Sequence, residues 1–395
     1  MNLQKKPALN SQTHFDIIVL GVGSMGSSTC YYLAKQGIKV LGLEQFDIPH
    51  ELGSHAGQSR IIRKAYFEHS DYVPLLQQAY KNWKHLEKIT NTQVYFQTGL
   101  LYCGKPNHPL MKGIHESADK YKIRVDPFTS KDLKTKYPQI KIPDDYEKLF
   151  EPEAGFLTPE KIILLYTEQA LKHGATIKTK VKVLEWKRVK GNIEVKTSAG
   201  NFSAKRLIIT AGPWAGKMIP GLSSTLKITR QMIGWVIPKK PSLFELGKFP
   251  CWLIADDKKP GAYYGFPILP VGKFNGPIGF KLAHHYQGSV TDPDMVNRTP
   301  TKQDEEDLIY ALNKFFPDSY KATHVMKTCI YTNTPDENFI LDFLPGHDKD
   351  VMIATGFSGH GFKFTSVVGE IMGDLAIKGK TSSPIGFLNA KRFIK

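Results

Sequence analysis

The chain has 395 residues, 41% of them hydrophobic and 23% charged, a composition that is ordinary for a globular protein and excludes long disordered tracts. This length exceeds the usual size of one domain, and we expect two lobes. The formal net charge is +16, but lysines and arginines are spread in ones and twos, which favours a surface that attracts small anions over a nucleic-acid-binding tract.

The amino-terminal segment, residues 1–14, is polar and lacks the apolar core of a signal peptide. No later stretch approaches the ~20 apolar residues needed to cross a bilayer. The four cysteines, Cys30, Cys103, Cys251 and Cys329, are widely separated, without a CxxC pair or a Cys/His cluster at metal spacing. We therefore expect a cytoplasmic protein in a reducing compartment, with no disulfide, no metal site, and no membrane or nucleic-acid partner.

A nucleotide-binding pattern opens the chain. Residues 15–20 form an apolar run that predicts a strand, followed by the turn Gly21-Val22-Gly23-Ser24-Met25-Gly26. Residues 24–36 have the spacing of a helix, and residues 39–44 predict a second strand that ends at Glu44. The glycines permit the tight turn, the approach of backbone amides to a pyrophosphate, and close packing of the helix at Gly26. An acid at Glu44 accepts from ribose hydroxyls and disfavours a 2′-phosphate, which indicates FAD or NAD rather than NADP.

Two further helices and a buried strand follow in this first lobe. Residues 71–89 predict an amphipathic helix, and a second helix begins at Pro159, is capped by Thr158 and ends at Gly174. Residues 207–214 are apolar throughout and predict a central parallel strand that runs into a Gly-Pro turn. Shorter strand patterns lie between them, at residues 175–186, 192–195 and around Phe202.

The sequence pattern changes at about residue 229, where short apolar runs separated by Pro, Gly and Lys predict a mainly antiparallel sheet. These runs are residues 232–237, 252–255, 263–266 and 278–282, followed by a helix at 302–316. The chain then returns to the first lobe with a strand at 351–355, a glycine loop at 356–361 and a helix at 364–377. We predict an α/β fold in which residues 1–93, 152–228 and 327–395 form a Rossmann-type domain and residues 94–151 and 229–326 form an α+β substrate domain with an antiparallel sheet.

Four motifs beyond the glycine turn identify a family. They are residues 54–63, the strand 264–267 with Lys281 beyond it, the run 327–337 around Cys329, and the loop 356–363. In this order, over about residues 15–378, they resemble the monomeric sarcosine oxidase and N-methyltryptophan oxidase family, flavoprotein amine oxidases of the D-amino-acid oxidase superfamily. The chain departs from the family in its polar amino-terminal extension and in a longer segment between Pro267 and Lys281.

The resemblance implies an FAD cofactor with a thioether between Cys329 and the flavin 8α-methyl group. On residues alone, an unpaired cysteine is more often a small buried hydrophobic side chain. The helix that follows the 356–361 loop would face the flavin N1/C2 edge and favour negative charge there. The resemblance implies that the remaining cofactor contacts come from Gly21, Gly23, Ser24, Met25, Gly26, Glu44, Gln45, Ser59, Arg60, Val183, Gly356, Gly359, Gly361 and Lys363.

The resemblance also assigns the substrate site. Arg63 and Lys363 match the pair that binds the substrate carboxylate, and such a pair selects amino acids over simple amines. Lys281 matches a lysine over the flavin that stabilises the negative charge formed as O2 is reduced, although a lysine on an alternating strand can equally face solvent. Arg60, three residues before Arg63, is expected on the same side of a helical turn. The resemblance implies that Tyr264, His285 and Tyr331 line the substrate cavity, although each could also be an ordinary core residue.

We therefore expect an FAD-dependent oxidase of N-methyl amino acids such as sarcosine, whose catalytic residues are Lys281, Arg60, His285 and Tyr331. Its partners would be a small amino acid and O2, its products an imine that hydrolyses to an aldehyde and the demethylated amino acid, plus H2O2. We expect it to be a monomer. Two alternatives stay open: an oxidase of a bulkier or cyclic amine (N-methyltryptophan, pipecolate or a glycated amino acid), and a non-catalytic dinucleotide-binding protein that uses its basic surface to bind RNA.

Overall fold

The computed structural model of the chain describes residues 13–394. The prediction for the polar segment 1–14 therefore lies almost wholly outside the described residues. Within residues 13–394 the strands are, in chain order, β1 (His14–Leu20), β2 (Val40–Leu43), β3 (Arg60–Ile62), β4 (Tyr95–Gln97), β5 (Leu100–Gly104), β6 (Asp126–Pro127), β7 (Glu147–Glu151), β8 (Gly155–Leu157), β9 (Thr176–Lys178), β10 (Val183–Val189), β11 (Asn192–Thr197), β12 (Gly200–Ile209), β13 (Lys227–Pro238), β14 (Cys251–Ala255), β15 (Ala262–Phe266), β16 (Phe280–His285), β17 (Ser289–Val290), β18 (Tyr320–Asn333), β19 (Ile340–Phe343) and β20 (Val351–Thr355). The α-helices are α1 (Ser24–Ala34), α2 (Val73–Thr90), α3 (Pro109–Tyr121), α4 (Ser130–Lys136), α5 (Pro159–Lys172), α6 (Ala215–Met218), α7 (Lys302–Phe315) and α8 (Thr365–Lys378).

The first sheet has a parallel centre in the order β9-β2-β1-β12-β20, and β19 pairs antiparallel with β20 at one edge. The amino-terminal half of β12 pairs with β11, which continues into β10 as an antiparallel meander. The predicted central parallel strand is confirmed, because β12 pairs in parallel with β1 on one side and with β20 on the other.

The two faces of this sheet are covered differently. One face packs against α1, α2, α5 and α8 in a single apolar core. The other face forms a core with the meander side chains, among them Ile193, Val195 and Phe202. The predicted amphipathic helix is confirmed in α2, whose Leu76, Trp83 and Leu86 are almost completely buried.

The second sheet has nine strands and is antiparallel except for the pair β5 and β14. Its longest pairing joins β13 to β18 over residues 227–238 and 320–333, and α7 packs on one face through Leu308, Leu312 and Phe315. Both long strands extend past the boundaries expected at 228/229 and 326/327, so Cys329 belongs to the second sheet. A three-stranded sheet, β3-β8-β4, carries the residues around Arg60.

Some local predictions were wrong in detail. The strand predicted at 175–186 is two strands, β9 and β10, because Lys180 has a positive φ of 58° that interrupts an extended conformation. Helix α5 begins at Pro159 as predicted, but the hydroxyl of Thr158 makes no capping hydrogen bond. The strand predicted at 278–282 is displaced to 280–285, after Gly279 with a φ of 146°. No helix among residues 13–394 is long and apolar enough to span a bilayer.

Candidate functional site

The glycine turn connects the end of β1 to the start of α1. Gly21 has a φ of 86°, and a Cβ atom on Gly26 would lie 1.8 Å from the Gly21 carbonyl oxygen, so neither position accepts a larger residue. A Cβ on Gly23 would meet only His55 Nδ1, at 3.8 Å. Gly23 is the N-cap residue of α1 and no side chain caps this helix end. The first amides of α1 therefore remain available to an anion, as a pyrophosphate site requires.

Glu44 follows β2 and lies beside the turn. One carboxylate oxygen accepts from the Val22 amide at 2.9 Å and the other from the Phe46 amide at 3.0 Å. Burial raises the pKa of this carboxyl, and the backbone donors partly offset that rise. Because each oxygen has further acceptor capacity, Glu44 can also accept from a ribose hydroxyl.

A cavity opens at the carboxyl ends of β1, β2, β12 and β20, with a volume of about 1460 Å³ that includes the solvent at its mouth. This edge of a parallel sheet is where such folds bind nucleotides. Three buried polar atoms of lining residues, His55 Nε2, Thr332 Oγ1 and Thr355 Oγ1, have no partner among residues 13–394. Unpartnered buried polar atoms are costly, so a long ligand with many hydrogen-bonding groups fits this cavity.

The cavity brings together most of the predicted cofactor residues but not all predicted site residues. Those that line it are Gly21, Gly23, Ser24, Met25, Glu44, Gln45, Arg60, Val183, Tyr264, Tyr331, Gly356, Gly359 and Gly361. The predicted site residues that are not among its lining residues are Gly26, Ser59, Arg63, Lys281, His285, Cys329 and Lys363.

Several segments of the wall were not assigned to the site from the sequence. One of them is residues 211–214, which line the cavity; the strand was predicted to run into a Gly-Pro turn here, but no ligand contact was assigned to the turn. Strand β12 ends at Ile209, and residues Gly212–Trp214 form a short 3-10 turn. The signal was present, since a Gly-Pro turn at the carboxyl end of a central parallel strand marks a binding edge.

Arg60 and Cys329 meet at one side of the cavity. Arg60 Nη2 lies 3.6 Å from Cys329 Sγ, and the same guanidinium donates to the Ser59 carbonyl at 3.0 Å. The thiol also lies 3.6 Å from the Ser54 carbonyl oxygen and is 4% exposed. The sulfur therefore has a permanent positive charge beside it, which is the environment of reactive cysteines.

The expected helical turn around Arg60 and Arg63 was wrong. Residues Arg60–Ile62 form strand β3, so side chains alternate and positions three apart point to opposite faces. Arg60 lies by Cys329, whereas Arg63 donates to both Glu68 carboxylate oxygens at 2.6 Å and to the Ala65 carbonyl at 2.9 Å. Burial acts to raise the pKa of Glu68, but Arg63 outweighs it and holds that pKa at about 2.

Lys363 lies close to this ion pair. Its ammonium donates to the His360 carbonyl at 2.7 Å and lies 3.5 Å from the Tyr66 hydroxyl. Burial and the positive charge of Arg63 lower the pKa of Lys363 to about 7. His360 stays neutral, since burial lowers its pKa to about 3; its Nε2 donates to the Glu337 carbonyl at 3.0 Å and its Nδ1 accepts from the Tyr66 hydroxyl at 2.6 Å.

Lys281 lies on β16 and is 1% exposed. Its ammonium donates to the Gly57 carbonyl, to the Ser59 carbonyl at 2.6 Å and to the Ser59 hydroxyl at 3.0 Å. Burial lowers the pKa of Lys281 well below its ordinary value. The lysine therefore faces inward rather than solvent, behind the loop that carries Ser59 and Arg60.

His285, Tyr331 and Tyr264 form the aromatic part of the site. His285 Nδ1 lies 3.2 Å from the Tyr331 hydroxyl, and Tyr331 and Tyr264 line the cavity. Burial lowers the pKa of His285, so the imidazole is neutral at pH 7. A Cβ on Gly359 would lie 2.3 Å from the Tyr331 ring, which shows how closely the glycine loop contacts this wall.

Comparisons with known proteins agree with this geometry. A family model described as DAO, FAD dependent oxidoreductase, matches residues 16–375. The chain is 37% identical over 385 residues to a monomeric sarcosine oxidase of Bacillus sp. (strain NS-129), covering 96% of this chain and 97% of the relative. It is 32% identical over 374 residues to N-methyl-L-tryptophan oxidase of Salmonella enteritidis PT4, covering 93% and 96%. A solved structure of NikD, an amino acid oxidase, superposes with a TM-score of 0.83 at 21% identity, covering 96% and 98%, and shows the shared fold.

Proposed function

Because the chain belongs to the DAO family of FAD-dependent oxidoreductases, together with the monomeric sarcosine and N-methyltryptophan oxidases, we propose that it is an FAD-dependent oxidase of N-methyl amino acids such as sarcosine. When bound, FAD accepts the two electrons of the substrate C–H bond and passes them to O2, which yields H2O2. The oxidised amine is an imine, which water hydrolyses to an aldehyde and the demethylated amino acid.

The main observation in favour of an amino acid, rather than a simple amine, as the substrate is the balance of charges around Glu68. Arg63 and Lys363 are both buried, and Glu68 is the carboxylate that compensates both. His360 is neutral, so Arg63 and a protonated Lys363 carry two positive charges against Glu68, the carboxylate that Arg63 contacts directly. Glu151, a second buried carboxylate near Arg63, is bound instead by the Lys64 and Ala65 amides and the Tyr102 hydroxyl. A substrate carboxylate supplies the missing charge, whereas a simple amine does not.

In this proposal the protein's own groups bind, orient and shield the substrate. Arg63 and Lys363 hold the carboxylate, which fixes the N-methyl group toward the cavity. Tyr264 and Tyr331 form the wall around it and exclude water, and neutral His285 contacts the Tyr331 hydroxyl. Lys281 supplies a fixed positive charge where negative charge develops during O2 reduction.

We also propose that Cys329 holds the cofactor through a thioether. The guanidinium of Arg60 beside the sulfur supports this attachment. The C–S bond replaces one S–H and one C–H bond, and O2 takes up the two hydrogen atoms as H2O2. Intact-mass measurement should therefore give the chain plus one FAD less two hydrogen atoms, and the yellow colour should survive acid precipitation. The Cys329→Ser variant should release its flavin on acid treatment. A bare chain mass in a yellow wild-type protein would disprove the attachment while leaving the oxidase proposal intact.

The function itself is tested by peroxide release across a substrate panel. Sarcosine, N-methyltryptophan, pipecolate and a glycated amino acid differ in size, and N-methyl amines without a carboxylate serve as the matched negative set. We expect turnover of N-methyl amino acids and, for Lys363→Met, a large rise in KM. The cyclic and bulky substrates test the second candidate activity, which the similarity to an N-methyltryptophan oxidase favours. Equal turnover of amines with and without a carboxylate would contradict the proposed role of the cation pair.

The proposal also covers the oligomeric state, the location and the two lobes of the protein. We propose that the chain acts as a cytoplasmic monomer, independent of membranes and nucleic acids, and that the two large sheets are the cores of a cofactor lobe and a substrate lobe. The similarity to relatives named monomeric supports this state. Light scattering coupled to size exclusion should give a mass near 44.5 kDa.

A further inference from the structure

A three-residue loop separates the Glu160 carboxylate from two cations, the buried Lys281 and the partly buried Arg60. This loop, residues 57–59, joins the cavity wall to strand β3 and has left-handed backbone at Gly57, with a φ of 120°, and at Gln58, with a φ of 71°. A residue with a side chain rarely adopts that conformation, so Gln58 must be held there by its surroundings. One such contact is the hydrogen bond from Trp235 Nε1 to Gln58 Oε1 at 3.0 Å.

The second contact is with Glu160, in the first turn of α5 and distant from the loop in sequence. One Glu160 carboxylate oxygen accepts from the Gly57 amide at 2.7 Å and from the Gln58 amide at 3.0 Å. Two successive amides that converge on one anion form a backbone nest. Glu160 thus binds the loop through the backbone amides of the loop, and within the described range 13–394 it makes no hydrogen bond to a loop side chain.

The opposite side of the loop holds the cations. The Gly57 and Ser59 carbonyls accept from Lys281, and the Ser59 carbonyl also accepts from Arg60 at 3.0 Å. The peptide unit between Gly57 and Gln58 therefore has its carbonyl on the lysine and its amide on the carboxylate. A peptide dipole in this orientation is aligned with both charges, and the contacts strengthen one another.

From this geometry we infer that Glu160 is the positioning residue for Lys281: it orients the Gly57–Gln58 peptide and supplies the negative charge that balances the buried ammonium. The inference rests on the proposed oxidase function, in which Lys281 serves O2. It assigns a role to a carboxylate that is not among the residues lining the cavity.

The charges around Lys281 agree with this assignment. Burial lowers the pKa of Lys281 and the neighbouring Arg60 lowers it further, whereas Glu160 is the carboxylate that raises it. The other titratable groups that face the ammonium are the thiols Cys329 on β18 and Cys251 on β14, which act in the same direction as Glu160. Removal of the Glu160 charge should therefore let Lys281 lose its proton at a lower pH.

The first test is the reoxidation of photochemically reduced holoenzyme by O2, followed by stopped flow across pH. This reaction needs no amine, so it can be read even if the substrate panel fails. In wild type the rate should fall as pH rises and Lys281 loses its proton. In Glu160→Gln, which keeps the shape of the side chain, this fall should move at least one pH unit lower, giving about tenfold slower reoxidation in the window between the two profiles.

The matched control is Glu168→Gln, which removes an exposed carboxylate from the same helix and should retain the wild-type profile. Superimposable profiles for Glu160→Gln and wild type would overturn the inference.

The second test reads the loop itself, without flavin chemistry. Hydrogen exchange of the Gly57 and Gln58 amides should be slow in wild type and in Glu160→Gln, whose amide oxygen still accepts. It should be at least tenfold faster in Glu160→Ala, where the acceptor is gone. Unchanged exchange in Glu160→Ala would show that Glu160 does not hold the loop. If no member of the amine panel is turned over but both tests give the expected results, the substrate proposal is refuted and the role of Glu160 is still supported.

Discussion

The pKa of Lys363 leads to a prediction about how the site binds carboxylates as pH changes. This ammonium is 6% exposed, lies close to the permanently charged Arg63, and has a pKa of about 7. It is then about 90% charged at pH 6, half charged at pH 7 and roughly 1% charged at pH 9. A carboxylate that needs this charge should bind about tenfold more weakly for each pH unit above 7.

The largest possible rise in Kd is set by the carboxylate affinity that remains when Lys363 is neutral. Arg63 keeps its charge, and one charge-assisted hydrogen bond contributes about 1.5–3 kcal/mol, which corresponds to roughly 10- to 150-fold in Kd. The rise in Kd should therefore level off at about a hundredfold near pH 9. A Lys363→Met variant should bind at this weak level at every pH.

Methoxyacetate is a suitable probe because it replaces the substrate nitrogen by oxygen and stays ionised throughout this range. Its Kd is measured from the change in flavin absorbance between pH 6 and pH 9. Lys391→Met removes an exposed lysine and should reproduce the wild-type curve. A constant Kd in wild type, or the same pH dependence in Lys363→Met, would refute the reasoning and assign the titration to another group.

Four further substitutions have distinct expected results. Lys281→Met should leave anaerobic flavin reduction nearly intact and slow reoxidation by orders of magnitude; equal loss in both half-reactions would contradict its assignment. Gly26→Ala should abolish flavin incorporation or folding, because its Cβ would lie 1.8 Å from a backbone carbonyl oxygen, whereas Gly23→Ala, with 3.8 Å to its nearest neighbour, should fold and lose affinity for FAD. Tyr66→Phe leaves the buried Nδ1 of His360 without its 2.6 Å partner and should lower stability by about 1–3 kcal/mol in urea unfolding, with no effect expected on flavin content.

The parts of the fold that could be predicted from the sequence are those specified by local chemistry. The glycine turn, the start of α5 at Pro159 and the amphipathic face of α2 each depend on residues a few positions apart. The prediction around Arg60 and Arg63 was wrong because spacing of three suits a helix, whereas Arg60–Ile62 is held as a strand by pairing with Phe156 and its neighbours on β8. Strand pairing between segments so far apart leaves no local signal.

The charge partners could not be predicted for the same reason. Glu160 is 103 residues from Gly57 in the chain, and nothing in its local sequence distinguishes it from other acids in a first helical turn. Glu68 is near Arg63 in sequence, yet its carboxylate matters because the turn after β3 brings it back to the guanidinium. The family motifs include the cations to which ligand contacts are proposed, and they give less indication of the carboxylates that pair with them.

The carboxylates Glu68 and Glu160 give the two ends of the site the same balance of charges. At one end Arg63 and Lys363 share Glu68, and at the other Arg60 and Lys281 have Glu160 as their nearest carboxylate. Each end thus has two cations and one carboxylate that contacts them or their loop, and each favours one further negative charge. In the proposed function, a substrate carboxylate meets that demand at the first end and the charge developing on O2 meets it at the second. A second carboxylate beside the cations at either end would weaken the attraction for an anion, and the loss of the existing one would favour the neutral form of the lysine. One acid for two cations therefore lets each lysine keep its proton over part of the pH range while the site still attracts an anion.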